Sequence, residues 1–224
     1  PSMALQNVRI EAARLATRVQ KMMNQVTAIL RSSDVTRFDD IEAADDTVDQ
    51  LHREILGYAG KISKFDLNDA QSREFRKLMI MVDALERVGD VIANDMVRIC
   101  RKRINKDISS SEKLLTMQVE LQEILNRLLY KCERAIKENN VGEAHQVLEM
   151  RSEIEKRIEA FFDHQESRFH EVDADRIAVF RIEMDLVEKQ RRIFGLLERI
   201  AIQLTGASQT GPGSDLDVRP VPNE

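Results

Sequence analysis

The sequence predicts an all-α protein built as a tandem pair of three-helix units that form one elongated six-helix bundle. Three observations carry that prediction. Apolar residues recur at intervals of three and four over long stretches and nowhere alternate with period two. Charged residues make up 33% of the chain and aromatics 4%, with no Trp, a composition of amphipathic helices and not of a β-sandwich. Gly and Pro are scarce until the C-terminal tail. At 224 residues and 42% hydrophobic content, the chain is large enough to bury a real core.

The elements follow in order. Leu5, Val8, Ala12, Leu15, Val19, Met22, Met23, Val26 and Leu30 keep helical spacing from Ala4 to Arg31, and Ser32-Ser33-Asp34 ends that helix. Asp39 or Asp40 opens a second helix that runs to Lys64. Asn68 or Asp69 caps a third, which continues to Ile104 with Phe75, Leu78, Met79, Val82, Leu85, Ile92, Met96 and Ile99 on one side. Ser109 to Ser111 cap a fourth, ending near Asn139. A fifth starts at Val141 to Gly142 and reaches Phe169, and Asp173 caps a sixth that ends at Leu204. The Met residues 22, 23, 79 and 81 and the Phe161-Phe162 pair read as core packing.

Aligning Asp45 with Glu149 places Asp49 on Glu153, and moving the offset by one places Glu86 on Arg191. This internal repeat predicts units at 1–106 and 107–204, followed by a disordered tail at 205–224 that is rich in Gly and Pro.

Composition also excludes. A formal charge of −5 and a pI near 5.6 argue against nucleic acid as a partner, because phosphate binding needs an excess of Lys and Arg. Cys100 and Cys132 stand alone, without Cys-x-x-Cys spacing, and are expected to be buried reduced thiols. The purest apolar run, Leu78 to Val82, is far shorter than a membrane span, which needs about 20 residues. The chain opens on Pro1-Ser2 and not on Met, as expected of a piece cut from a longer protein whose membrane part precedes it. No Gly-rich phosphate loop, Ser/His/Asp set or Cys/His pair points to catalysis, so a non-enzyme is expected.

Chemistry concentrates in two acid pairs. Glu86 and Asp90, four residues apart, share a helix face about 40° apart. Like charges at that spacing cost an isolated helix about 0.2–0.5 kcal/mol, and Gly89 between them costs about 1 kcal/mol relative to Ala. Helix stability therefore does not account for the pentad. Asp45 and Asp49 repeat the pattern beside the stripe of Ile41, Ala44, Val48, Leu51 and Ile55. Oxygen-only clusters suit Mg²⁺, Mn²⁺, Ca²⁺ or iron, and facing helices are a proven place to build them. The competing reading is a solvated acidic face. Asp46, Asp83 and His52 are possible auxiliaries. His52 follows Asp49 by three residues, but a di-iron bundle needs two such motifs and the other histidines lack them. A basic patch, Arg98, Arg101, Lys102, Arg103 and Lys106, closes the third helix. It reads either as cations favoured at a helix C-terminus or as a patch facing anionic lipid headgroups.

Glu86-Arg87-Val88-Gly89-Asp90 followed by Ile92-Ala93-Asn94, with the upstream Asp45-x-x-x-Asp49 and the duplicated three-helix layout, resembles PhoU-domain proteins. The N-terminal stretch from Ala4-Leu5 through Glu11-Ala12-Ala13-Arg14-Leu15 to Met22 looks like the segment joining bacterial sodium/phosphate cotransporters to their C-terminal PhoU-like domain. The resemblance spans Ala4 to Leu204. It implies a cytosolic domain associated with phosphate uptake, on the cytoplasmic side of the inner membrane, whose acidic motifs bind clusters of iron, manganese or magnesium. Carried over by position, Asp45, Asp49, Glu86 and Asp90 are the ligands. Arg191 and Gly195 stand where the second repeat would need acids, which argues against a second metal site. The implied partner is the membrane domain of the same polypeptide, with an anionic membrane surface and a homodimer as further expectations. A free-standing PhoU-type adaptor repressing phosphate signalling, and a helical scaffold without metal, are the alternatives.

Overall fold

The computed structural model describes residues 2–105, 111–167 and 174–207. All regular structure among them is helical: α1 (Ser2–Ser32), α2 (Arg37–Ile62), α3 (Asp69–Asp90), a π-helical turn (Val91–Met96), α4 (Val97–Asn105), α5 (Glu112–Glu138), α6 (Val141–Glu149), α7 (Arg151–Glu166) and α8 (Ala174–Thr205). The predicted third helix is thus α3, the π turn and α4 in series. The predicted fifth is α6 and α7, separated by a break at Met150.

Most helix ends obey local chemistry. Asn68 and Gln71 form a reciprocal capping box at the start of α3. Ser111 accepts from the Leu114 amide at the start of α5. Asn139 ends α5 in the left-handed region (φ 52°), where Asn is tolerated, and Asn140 caps α6 through the Gly142 and Glu143 amides. The start of α2 corrects the sequence expectation. The helix begins at Arg37, before Asp39 and Asp40, because Asp34 accepts from the backbone and hydroxyl of Thr36 and pairs with Arg37, closing the first turn early. The predicted cap at Asp173, the Lys106 end of the basic patch and tail residues 208–224 lie outside the described residues.

α1, α3, α5 and α8 form a four-helix core. α1 runs antiparallel to α5, as the Arg9 to Ile136, Thr17 to Glu133 and Gln20 to Asn126 hydrogen bonds show. α3 runs antiparallel to α8, with Asp83 near Arg199 and Asp95 near Lys189. α2 packs outside on α1 and α3, and α6–α7 pack outside on α5 and α8. The interior is aliphatic: Leu15, Met22, Met23, Leu85, Ile92 and Leu114 are fully enclosed, and Phe161 meets Phe162 edge to face at 6.1 Å. Between α5 and α8, with one bond to α1, runs a buried amide ladder. Gln190 donates to Gln122 and to the Gln118 carbonyl, Gln122 to the Met23 sulfur, and Gln118 to the Glu183 carbonyl. Buried amides of this kind fix register, because a slip would leave them unpaired. Cys100 and Cys132 are buried and free, and burial pushes both thiols up to about 12. No helix among the described residues is long and apolar enough to cross a membrane.

Candidate functional site

α2 and α3 meet where Val48 packs on Gly89. A Cβ at Gly89 would stand 3.4 Å from Val48 Cγ1 and 3.9 Å from both Asp45 Oδ1 and Met22 Sδ. That close approach, permitted by glycine on the buried side of α3, sets Asp45 and Asp49 of α2 beside Glu86 and Asp90 of α3.

The acids sense one another. Asp45 is half-buried, and its carboxyl is pushed up to about 6, chiefly by desolvation and then by the charges of Asp49, Asp90, Asp46 and Glu86. Glu86 is raised as well, by burial and then by Asp90, Asp49 and Asp83, with Arg87 partly offsetting them. Asp45 Oδ1 is enclosed and accepts no hydrogen bond. Asp90 accepts from Asn94 Nδ2 at 3.3 Å. No Lys or Arg forms an ion pair with any of the four among the described residues. An enclosed carboxylate oxygen lacking a donor, near three further carboxylates of which Asp49 and Asp90 are exposed, is chemically of the oxygen type that hard cations take. As the side chains stand, no three acidic, His or Cys groups among the described residues are gathered tightly enough to enclose a metal ion.

The auxiliaries separate. Asp83 is held by Arg87 (3.2 Å) and Arg199 (3.8 Å). Asp46 is exposed beside Gln50 and Arg53, and His52 is half-buried one turn past Asp49. The basic patch is partly neutralised. Arg98 pairs with Asp95, and Arg101 pairs with Glu42 and lies over the Phe38 ring at 4.9 Å. Lys102 and Arg103 have no ion pair among the described residues.

Acids along α5, α7 and α8 meet bases instead. Arg157 bridges Glu153 (2.7 Å) and Glu120 (3.0 Å), Arg191 pairs with Glu155 (3.6 Å), and Arg151 holds Glu198 (2.8 Å). Arg191 was expected from the repeat alignment, but its partner Glu155 and the Arg151–Glu198 pair were not. Asp95 was also missed. It gathers Arg98 (3.2 Å), Lys189 (3.2 Å) and Arg192 (3.7 Å), two of them on α8. The sequence signal for it was a lone acid among the bases of the third helix.

Residues 12–99, which contain all four acids, match the PhoU domain family. The crystal structure of PhoU from Pseudomonas aeruginosa is similar to this chain with a TM-score of 0.82 at 16% identity, over 91% of this chain and 96% of that one. At that identity the likeness shows the fold, an all-helical PhoU-like bundle. No curated protein matches the chain.

Proposed function

We propose that this chain is a non-catalytic, PhoU-like regulatory domain that binds a hard cation or a small cation cluster through Asp45, Asp49, Glu86 and Asp90 and thereby modulates phosphate uptake. The observation that carries the reading is the enclosed, unpartnered Asp45 oxygen among three carboxylates that no base neutralises. Bound there, iron, manganese or magnesium would supply the positive charge that α2 and α3 lack where they meet. Asp45 and Asp49 hold one side of the site from α2, Glu86 and Asp90 the other from α3, and Val48 against Gly89 fixes their separation. Occupancy then biases how α2 sits on α3, a two-state change of the kind that coupling to a distant partner requires.

The partner in this reading is the membrane domain of a sodium-dependent phosphate cotransporter, with this domain on the cytoplasmic side. The N-terminal resemblance supports it, and the unpaired Lys102 and Arg103 fit an anionic headgroup surface. A free-standing PhoU-type adaptor is the second reading, favoured by a likeness that extends over 96% of a PhoU chain. The test is elemental mass spectrometry of the chain purified without chelator, beside a Glu86→Gln, Asp90→Asn variant. Stoichiometric iron, manganese or magnesium lost in the variant is the expected result. No metal in either protein, after reloading with each cation, overturns the cation reading.

A further inference from the structure

An apolar groove lies at the end of the molecule where α8 stops. The turn at 63–68 between α2 and α3 leaves Phe65 59% exposed, and Phe65, Leu67, Phe75 and Met79 line an open groove of about 600 Å³, with Arg76 and Asp66 among them. Arg73 and Arg76 are exposed and form no ion pair among the described residues, and Glu74 between them in sequence is held by Arg9. α8 runs toward this groove. Arg199 reaches Asp83 of α3 at 3.8 Å, and the two helices are antiparallel, so the stretch from Arg199 to Thr205 carries α8 about 9 Å toward the start of α3, level with Lys77. At about 100° per residue, Arg76 and Met79 lie within about 20° and 40° of Asp83 around α3, so the groove starts beside the face that Arg199 reaches across.

Residues 208–224 follow α8 in the sequence. Gly211-Pro212-Gly213 is a turn signal, and beyond it stands Asp215-Leu216-Asp217-Val218-Arg219-Pro220-Val221-Pro222, apolar residues set among acids, with prolines that favour extended backbone over helix. We propose that segment 215–222 of this chain docks in the groove, with Leu216 and Val218 against Phe65 and Met79 and with Asp215 and Asp217 toward Arg73 and Arg76. The proposal does not depend on the cation reading. Length permits it, since the stretch 208–215, extended at about 3.3 Å per residue, outreaches the width of α3, about 10 Å. Tethering makes a weak contact sufficient, because a short link holds the segment beside its groove at about millimolar effective concentration. Charge directs it, because arginines without partners beside exposed apolar groups attract acids that carry apolar neighbours. Docked there, the segment covers Phe65 and ties α8 to the α2–α3 turn, so a partner seeking this face has to displace it.

Paramagnetic NMR on the full chain tests the contact. A nitroxide attached at Ser214→Cys, with the buried Cys100 and Cys132 spared, should abolish the Met79 methyl signal and leave those of Met117 and Met184, at the opposite end of the bundle, unchanged. Leu216→Asp with Val218→Asp should bring the Met79 signal back. Arg76→Glu should weaken the loss, and adding Asp215→Arg and Asp217→Arg should return it; a loss indifferent to both changes overturns the charge match. No loss at Met79, or a loss that survives Leu216→Asp with Val218→Asp and so reports only the nearness of a tethered label, overturns the docking. In a mixture of nitroxide-bearing chains with chains that alone carry visible methyls, loss at Met79 puts the segment in a second copy's groove and overturns docking within one chain.

Discussion

Two acidic faces of this molecule are handled in opposite ways. Where α2 crosses α3, Asp45, Asp49, Glu86 and Asp90 gather with Arg87 only partly offsetting them at Glu86 and no ion pair to any of the four among the described residues. Where α7 crosses α8, Glu153, Glu155 and Glu198 are each met by an arginine. In the second arrangement the buried carboxylate, Glu198, is neutralised within the chain, while Glu153 and Glu155 are exposed and pair at the surface. The first leaves Asp45 and Glu86 with raised carboxyls and no ion pair among the described residues.

The comparison is broken most forcefully from the filled side. Arg151→Met leaves Glu198, whose side chain is 8% exposed, without its partner, and should cost about 2–3 kcal/mol in urea unfolding. A loss under 0.5 kcal/mol would mean that the pair is ornamental and the contrast empty. From the open side, Asp45→Asn should act in the opposite direction. The folded carboxyl titrates near 6 against an ordinary 3.8, so the folded state holds its proton more tightly than the unfolded chain does. The penalty is absent below pH 3.8, grows between 3.8 and 6, and is complete above 6. At pH 7 without cation, Asp45→Asn should therefore gain about 1–2 kcal/mol, a figure reduced for the group's partial exposure, and the gain should fade in melts run toward pH 4. Saturating Mn²⁺ should reverse the order, because a cation at 100 times its dissociation constant stabilises the wild type by about 2.7 kcal/mol and finds an incomplete site in the variant. Smaller again, Arg157→Gln removes two exposed ion pairs and should change stability by about 0.2–1 kcal/mol, less in high salt. Gly89→Ala should be nearly neutral. Its new methyl makes ordinary contact with Val48 at 3.4 Å, and the helix gain of about 1 kcal/mol offsets the crowding. A loss above about 2 kcal/mol would show that α2 and α3 cannot separate by even a few tenths of an ångström.

The helices were legible because a 3.6-residue period marks the buried side without reference to any neighbour. Leu85, Val88 and Ile92 announce it, and Asn68 with Gln71 marks a start by chemistry confined to four residues. The π turn was not legible. Ile92, Met96 and Ile99 satisfy an α period closely enough to hide one extra residue per turn, and only the position of Asp95 against α8 reveals it. Of the candidate site, the acid pairs were visible as spacing and the role of Gly89 as a helix cost without local benefit. That α2 and α3 bring the pairs together is a tertiary fact, as are the arginine partners across α7 and α8. For the same reason Asp83, grouped with the acids by sequence, turns out to be held by Arg87 and Arg199.

The four-helix core ties the two ends of the chain to each other. α1 and α5 lie against each other, as do α3 and α8, so the helices from the first and last parts of the chain cover each other's apolar flanks. Asn126 bonding Gln20 and Thr27, and Gln122 reaching Met23, seal that seam with groups that one unit alone leaves unsatisfied. The seam between α1–α3 and α5–α8 is therefore part of one continuous core. A change on one side of that seam is thus felt on the other, because the two sets of helices share a single buried interior.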